Sequence, residues 1–243
     1  MDRATTSQSS MKGSAIIIQA RISSARFPGK MMLSLAGIPL VEYVYRRCCQ
    51  CSVENVIVAT SLDSSDDPLH AHCQANNIPV IRGTLDNVLD RYIKAANYLK
   101  AKYIGRVCAD TPFFDLSLLE ASLKVIAEAD FDYVASDRNS CASGFYSETV
   151  KLKALESSAR ITSNKDDLEH VTRFILNNEK VFSGKAIKVN FNPQFIKDIR
   201  LTVDYPKDLE LANNIITHLP DKLNFSSNDI LEVVKEKIVP LWV

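Results

Sequence analysis

Hydrophobic positions along the chain form short apolar runs that alternate with longer amphipathic segments. Five runs are apolar almost throughout and rich in β-branched or aromatic residues, which is typical of strands buried on both faces of a sheet. These runs cover residues 15–19, 55–60, 79–82, 103–108 and 133–136. The segments between them place apolar residues at helical spacing, which predicts helices at about 39–49, 67–76, 86–100 and 116–129.

The alternation of strand and helix predicts an α/β fold. Buried strands separated by helices form a parallel sheet, and right-handed crossovers make that sheet doubly wound. We therefore expect a mostly parallel sheet with helices on both faces. No repeat or linker divides the chain, so the sequence predicts a flexible tail over residues 1–12 and a single domain over 13–243.

The second half of the chain is less regular. Its pattern predicts an edge strand, a helix, a half-exposed strand and a short strand, followed by two amphipathic helices. These elements fall at 146–150, 166–177, 185–191, 200–203, 206–218 and 228–238. We interpret residues 140–191 as a small insertion carried on the same domain.

Composition and charge narrow the class of protein. Hydrophobic residues make up 46% and charged residues 24%, which is typical of a soluble domain. The 29 basic and 29 acidic side chains cancel, which argues against binding nucleic acid or an anionic membrane through bulk charge. The first ten residues are polar and no apolar run reaches the length of a membrane span. We therefore expect a cytoplasmic protein without a nucleic-acid or membrane partner.

Glycine is scarce, with 7 residues in 243, and no two glycines are closer than eight positions. This spacing excludes the G-x-G-x-x-G loop of Rossmann dehydrogenases and the G-x-x-x-x-G-K-[ST] loop of P-loop ATPases. A phosphate-binding site in this chain must therefore rely mainly on side chains.

Charged side chains follow three of the predicted strands. Arg21, Arg26 and Lys30 lie in the loop after the first strand, Asp110 follows the fourth, and Asp204 follows the strand at 200–203. Ligands of open α/β sheets bind at these carboxyl ends. Carboxylates hold Mg²⁺ and cations neutralise phosphate oxygens, so the set suits a magnesium–polyphosphate complex. Each group also has an ordinary alternative, as a solvated basic loop or as a carboxylate that caps a helix.

Six ordered segments resemble the cytidylyltransferases that make CMP-activated sugars, and most closely the spore-coat-polysaccharide branch. The signature loop of that family is similar to Gln19-Ala20-Arg21 together with Arg26-Phe27-Pro28-Gly29-Lys30. The other similar segments are Ala59-Thr60-Ser61 with Asp66-Asp67-Pro68, Arg82-Gly83-Thr84-Leu85-Asp86-Asn87-Val88-Leu89-Asp90-Arg91-Tyr92, Arg106-Val107-Cys108-Ala109-Asp110-Thr111-Pro112, Glu169-His170-Val171-Thr172 and Leu201-Thr202-Val203-Asp204-Tyr205-Pro206-Lys207-Asp208.

The resemblance implies a nucleotide-diphospho-sugar transferase-like fold and a Mg²⁺-dependent enzyme. Such an enzyme transfers CMP from CTP to a sugar or sugar-acid acceptor, releases pyrophosphate and serves cell-surface glycan biosynthesis. A homodimer formed through 140–191 is also expected. The implied catalytic residues are Lys30, Arg21 and Asp110; the implied nucleotide-binding residues are Ala20, Arg21, Arg26, Lys30, Thr60, Ser61, Arg82 and Gly83; the implied Mg²⁺ ligands are Asp110 and Asp204; and the implied acceptor contacts are Glu148, Glu169 and His170.

Two departures from the family pattern leave the acceptor open. Tyr146 stands where an acid is common, and Arg173 stands where proline is common. A glycosyltransferase remains an alternative, although the turn Asp110-Thr111-Pro112 lacks the second acid of the usual Asp-x-Asp motif. A nucleotide-binding relative without catalytic activity is a further alternative, suggested by the altered acceptor region.

Overall fold

The computed structural model describes residues 11–137, 140–189 and 200–238. Within them the chain forms nine strands, seven of which build the main sheet and two of which form a small hairpin. The strands are β1 (Met11–Gln19), β2 (Ser34–Leu35), β3 (Ile38–Pro39), β4 (Val53–Ser61), β5 (Val80–Gly83), β6 (Tyr103–Cys108), β7 (Tyr133–Ser136), β8 (Glu148–Lys151) and β9 (Gly184–Ile187).

Helices cover both faces of the main sheet. They are α1 (Leu40–Cys48), α2 (Asp67–Ala75), α3 (Val88–Leu99), α4 (Leu116–Glu128), α5 (Leu152–Ile161), α6 (Lys165–Glu169), α7 (Arg173–Leu176), α8 (Pro206–His218) and α9 (Ser227–Val233). Short 3₁₀ turns at Lys30–Met32 and Ser64–Asp66 and a π turn at Val234–Ile238 complete the set. Among the described residues, no helix is both long and apolar enough to cross a membrane.

The central strand β1 supplies side chains to two separate cores. Successive side chains of a strand point to opposite faces. Ile16 and Ile18 belong to the core that also contains side chains of α1, α2, α4, α8 and α9, whereas Ile17 belongs to the core that contains side chains of α3, α5 and α7. All three isoleucines are fully buried. Burial on both faces explains why this strand has no alternation of apolar and polar residues.

The sheet has the strand order β5-β4-β1-β6-β8-β7-β9. Six strands run in one direction, and β8 runs antiparallel to its two neighbours. The predicted doubly wound, mostly parallel sheet is therefore confirmed. Four of its five regular strands and all four regular helices lie within about two residues of the positions predicted from the hydrophobic pattern, whereas β1 begins four residues earlier than predicted.

The predicted edge strand at 146–150 lies instead in the interior of the sheet. It is β8, which pairs with β6 through Glu148 opposite Arg106 and with β7 on its other side. Glu148 and Thr149 are polar although they are buried. Polar residues are more typical of an edge strand, so the sequence did not indicate that this strand lies in the interior of the sheet. The segment at 140–191 supplies β8 and β9 to the main sheet, and its interpretation as an acceptor-site or dimerisation insertion stays a prediction.

Other predicted elements of the second half differ in extent. The helix at 166–177 is divided into α6 and α7 at Val171, whose φ of 49° is left-handed. The short strand at 200–203 is reduced to one bridge between Arg200 and Ser143. The strand at 185–191 is β9, and residues 190 and 191 lie outside the described residues. Helix α5 was not predicted.

The predicted tail is shorter than expected. Met11 already pairs with Val53 at the start of β1, so residues 11 and 12 belong to the sheet. The other residues of that tail, 1–10, lie outside the described residues.

Gly144 brings the segment before Asp204 into position. Its φ of 106° disfavours any side chain, and a Cβ there would lie 2.9 Å from the backbone carbonyl carbon and oxygen of Leu201. The backbone N–H of Leu201 donates to the Ser143 carbonyl oxygen at 3.0 Å. This close approach of two backbones requires glycine and sets where residues 201–204 run.

We expect Gly144→Ala to lower the free energy of unfolding by about 2–4 kcal/mol, because it adds both backbone strain and a clash. Gly37→Ala is the matched control, since Gly37 also has a positive φ but a Cβ there meets nothing within 4 Å. The control should cost only about 1 kcal/mol. Urea denaturation measures both, and equal losses would contradict the packing argument.

Candidate functional site

A cavity of about 450 Å³ opens at the carboxyl ends of β1 and β6. Strand ends of a parallel sheet converge at one edge, so residues that are distant in sequence meet there. Eight residues predicted for the site line this cavity: Ala20, Arg21, Arg26, Lys30, Asp110, Glu169, His170 and Asp204. The cavity therefore lies between the loop after β1, the turn after β6, the end of α6 and the turn before α8.

Lys30 lies at the centre of these contacts. The left-handed Gly29 precedes a single 3₁₀ turn, in which the Lys30 side chain is 5% exposed. Its Nζ donates to Asp110 Oδ2 at 2.8 Å and to the Val203 carbonyl oxygen at 2.7 Å, and it lies 3.5 Å from Asp204 Oδ1. An ammonium group has three N–H donors, so Lys30 has an acceptor for each of them and holds two carboxylates beside each other.

Asp204 is surrounded by cations. Arg26 Nη2 lies 2.5 Å from its Oδ1, and Arg200 donates to its other oxygen. Burial raises the pKa of Asp204, but the hydrogen bonds from Arg200 and Arg26 and the charge of Lys30 outweigh burial and lower that pKa to about 2. The turn is held by Asp208, whose Oδ2 accepts the backbone N–H groups of Asp204 and Tyr205 at 2.9 Å.

The two carboxylates have a donor set that suits Mg²⁺. Within the ranges that the structure describes, no group of three or more His, Cys, Asp or Glu side chains could hold a metal ion. Mg²⁺ commonly binds through one or two carboxylates and completes its octahedron with water and substrate phosphates. Asp110 and Asp204 therefore fit a Mg²⁺ ion that arrives with a polyphosphate better than a permanently bound one.

Asp66 fixes the loop that carries Arg21. Its buried carboxylate accepts the Ile22 backbone N–H at 2.6 Å and the Ser61 backbone N–H at 3.0 Å, and it also accepts the Ser61 hydroxyl. These bonds connect the loop after β1 to the end of β4. Arg21 then reaches Glu169, with 2.6 Å between Nη2 and Oε1.

Four residues predicted to bind the nucleotide are not among the described residues that line the cavity. Thr60 and Ser61 are fully buried, and Ser61 is engaged by Asp66. Arg82 turns away, donating to the Ser61 carbonyl oxygen at 2.6 Å and pairing with Asp67 at 2.7 Å. Gly83 is covered by a side chain from α3. The sequence placed these residues correctly at strand ends, but it did not show which way their side chains turn.

Glu148 likewise lies behind the cavity wall and not at its surface. It is 7% exposed and accepts Arg106 Nη1 at 2.8 Å and Thr172 Oγ1 at 2.6 Å. Glu148 can therefore affect a ligand through Arg106, which lines the cavity and also donates to Gln19 Oε1 at 3.1 Å, or through Thr172, which lines a second cavity.

Two arginines that line the cavity, Arg91 and Arg106, had no predicted role. Arg106 is a charged residue within the otherwise apolar strand β6, which is a signal that the strand passes a polar site. Arg91 follows Val88 by one turn of α3, and both residues line the cavity. The three-residue spacing between Val88 and Arg91, which places both on one face of a helix, is visible in the sequence.

A second cavity of about 850 Å³ adjoins the first. Arg106 and His170 line both cavities, while Tyr133, Ser136 and Arg173 line only the second. The two spaces therefore share a wall formed by β6 and the turn after α6. A molecule in one cavity can lie directly beside a molecule in the other.

The family of the chain follows from its similarity to known proteins. Residues 15–233 match the family described as cytidylyltransferase. The chain belongs to the cytidylyltransferase family. The matched region includes every described residue of the first cavity, so this membership confirms the resemblance seen in the signature loop and the strand-end motifs.

Two of the similar proteins cover most of the chain, and a third covers about half of it. The spore coat polysaccharide biosynthesis protein SpsF of Bacillus subtilis is 29% identical over 229 residues, covering 90% of this chain and 92% of the relative. A cytidylyltransferase structure from Leptospira borgpetersenii superposes with a TM-score of 0.85 at 25% identity, over 92% of this chain and 94% of that one. A 3-deoxy-manno-octulosonate cytidylyltransferase of Mesorhizobium japonicum is 31% identical over 121 residues, covering 48% of this chain and 49% of the relative.

The role of Asp66 in this cytidylyltransferase can be tested by Asp66→Asn. The amide keeps the volume but offers one acceptor oxygen where the carboxylate offers two, so a buried backbone N–H loses its partner. We expect the free energy of unfolding to fall by about 1–3 kcal/mol. Asp67→Asn is the control, because Asp67 is largely exposed and makes only a surface ion pair. Urea denaturation that gave equal losses would refute the anchoring role.

The low pKa of Asp204 predicts a particular pH dependence of stability. The pKa falls from its usual 3.8 to about 2 in the folded protein. Because the folded pKa lies below the unfolded one, the stabilisation is fully present above about pH 4 and is lost as the pH falls towards 2. The difference in unfolding free energy between wild type and Asp204→Asn should therefore stay constant from pH 7 to 4.

Below pH 4 that difference should shift in favour of the variant, because its amide does not titrate. Chemical denaturation at a series of pH values measures the difference. A difference that stays constant down to pH 2 would contradict the ion pairing of Asp204 with Arg26, Arg200 and Lys30.

Proposed function

We propose that this protein transfers the CMP group of CTP to an oxygen of a sugar or sugar-acid acceptor and releases pyrophosphate. The observation that carries the proposal is the contact of Lys30 Nζ with both Asp110 and Asp204 at the edge of the sheet. A buried cation beside two carboxylates suits the binding of a triphosphate and its metal ion, which supports this proposal for a member of the cytidylyltransferase family.

The chemistry assigned to these residues is electrostatic. The acceptor oxygen attacks the α-phosphorus and forms a new P–O bond, while the bond from the α-phosphorus to the bridging oxygen of the β-phosphate breaks. The electron pair of that bond leaves with pyrophosphate, and the hydroxyl proton of the acceptor passes to water. Lys30 and Arg26 neutralise the negative charge that develops on the phosphate oxygens.

Asp110 and Asp204 are the residues that would hold Mg²⁺. The bound ion would neutralise triphosphate charge and orient the reacting phosphate. Without it, the charge of the two carboxylates is balanced by Lys30, Arg26 and Arg200. If the two carboxylates held Mg²⁺, these cations would be available to the phosphate oxygens of the nucleotide.

The second cavity supports a place for the acceptor. It adjoins the first one across Arg106 and His170, so an acceptor there can direct an oxygen towards a nucleotide bound beside it. Hydroxyl groups at Tyr133, Ser136 and Thr172 suit the hydroxyl-rich surface of a sugar, and Arg106 and Arg173 suit an acidic group. The description of the Bacillus subtilis relative supports a role in polysaccharide assembly.

The proposal is tested by incubating the protein with CTP, Mg²⁺ and a panel of sugars and sugar acids, and by measuring pyrophosphate release. At least one acceptor should give turnover. Lys30→Met should then lower the rate by about 100-fold or more, because a group that stabilises transition-state charge is lost. Lys124→Met is the matched control, since Lys124 lies exposed on α4, and it should keep the full rate.

Full activity of a folded Lys30→Met variant would refute the assigned phosphate-binding role. Binding of CTP without turnover of any acceptor would favour the interpretation as a non-catalytic relative. Thermal unfolding with and without CTP separates these outcomes, because ligand binding to the folded state raises the unfolding temperature.

A further inference from the structure

Asp204, one of the two carboxylates proposed to hold Mg²⁺, has both of its oxygens occupied by groups of the protein. Its Oδ1 accepts Arg26 Nη2 at 2.5 Å and lies 3.5 Å from Lys30 Nζ. Its Oδ2 accepts Arg200 Nη2 and, at 3.2 Å, the hydroxyl group of Thr202. A carboxylate has about four acceptor sites, and these contacts fill them. A metal ion that binds to Asp204 therefore has to displace one of these groups.

Arg200 differs from the other two cations around Asp204 in its position. Arg26 and Lys30 line the first cavity, whereas the described lining of neither cavity includes Arg200. The Arg200 side chain is 44% exposed, so it can leave Asp204 for solvent without disturbing a packed core. Arg200 is therefore placed to act on the Asp204 carboxylate and not on the space that a nucleotide would fill.

Further contacts hold Arg200 beside Asp204. Its Nε donates to Thr202 Oγ1 at 3.2 Å and lies 3.9 Å from Asp208 Oδ2. Its guanidinium carbon is 5.3 Å from the centre of the Tyr205 ring, within the range of a cation–π contact. The pairing of Arg200 with Asp204 is thus part of a set of contacts and not an isolated ion pair at the surface.

The charges connected to Asp204 already cancel. Three cationic and three carboxylate side chains are linked by the described ion pairs: Arg26, Lys30 and Arg200, and Asp110, Asp204 and Asp208. A divalent cation added to this neutral set leaves an excess of positive charge, which is costly in a partly buried site. Without Arg200, the same set would be negative before the metal ion arrives.

We propose that Arg200 is a built-in counter-ion that keeps Mg²⁺ from Asp204 until a nucleotide is bound, which rests on the proposed magnesium site. A triphosphate brings the negative charge that offsets the added metal charge, and its oxygens offer new partners to Arg26 and Lys30. A metal ion alone brings no such compensation, and Arg200 competes with it for Asp204 Oδ2. Arg200 thereby makes binding of the cation depend on the nucleotide.

The test titrates Mn²⁺, as a substitute for Mg²⁺, into wild type, Arg200→Met and Arg160→Met without nucleotide, and measures free Mn²⁺ by electron paramagnetic resonance. Arg160 is the matched control, because it is an exposed arginine on α5 that bonds to Ser157 of the same helix. Arg200→Met should bind Mn²⁺ about tenfold more tightly than wild type, because a cation beside the metal site is lost. The control should bind Mn²⁺ as wild type does.

A double variant shows where the additional Mn²⁺ binds. Arg200→Met combined with Asp204→Asn should lose the gain in affinity, since the charged metal ligand is removed together with its competitor. Unchanged Mn²⁺ affinity in Arg200→Met would overturn the inference. A gain that persists without the Asp204 carboxylate would also overturn it, because the ion would then bind elsewhere.

Two further substitutions separate the charge of Arg200 from its shape and from folding. Arg200→Lys keeps the charge and should keep the weak Mn²⁺ binding of wild type. Arg200→Gln can still donate a hydrogen bond to Asp204 but carries no charge, so it should show the same gain as Arg200→Met and replaces that variant if methionine prevents folding. Tight Mn²⁺ binding by Arg200→Lys would contradict the role of Arg200 as a counter-ion.

Failure of the proposed function has a different result. Isothermal titration calorimetry with CTP at saturating Mg²⁺ tests the use of CTP. If wild type bound no CTP, the proposed function would be refuted, while the Mn²⁺ titrations without nucleotide would still decide whether Arg200 competes for Asp204. If wild type bound CTP and Arg200→Met gained no Mn²⁺ affinity, only the assignment of Arg200 would be refuted.

Discussion

The buried ammonium group of Lys30 is the interaction on which the site depends. It joins the turn after β6, through Asp110, to the segment before α8, through Val203 and Asp204. Two carboxylates that approach one another in a partly buried cavity repel each other. The shared cation offsets that repulsion, so the two carboxylates can lie side by side where a metal ion would be held.

Two residues that are far apart in the chain, Gly144 and Asp66, position the loops around Lys30. Gly144 allows the segment that leads to Asp204 to approach another backbone closely, and Asp66 holds the loop that begins at Arg21. Neither residue faces the cavity, and both act by placing residues that do. The rigid sheet carries the side chains, while these contacts set the path of the loops between them.

Arg91 shows a different situation, in which a buried guanidinium group is not fully paired. Its side chain lies against Gly83, and among the described residues neither its Nε nor its Nη1 has an acceptor. Buried donors without partners cost free energy, so the packing against Gly83 holds Arg91 at a cost to stability.

The sequence by itself determined the regular half of the fold and half of the described residues that line the cavity. Apolar strands and amphipathic helices differ in period, so five strands and four helices could be placed from the pattern alone, and the topology of parallel sheets then brought Arg21, Lys30 and Asp110 to one edge. Only the tertiary structure decided the rest. Glu148 made β8 resemble an edge strand because its partner Arg106 is 42 positions away. Arg82 was expected at the site but turns away from the cavity, whereas Arg91 lines it, because the direction of a side chain depends on packing between elements that are remote in sequence.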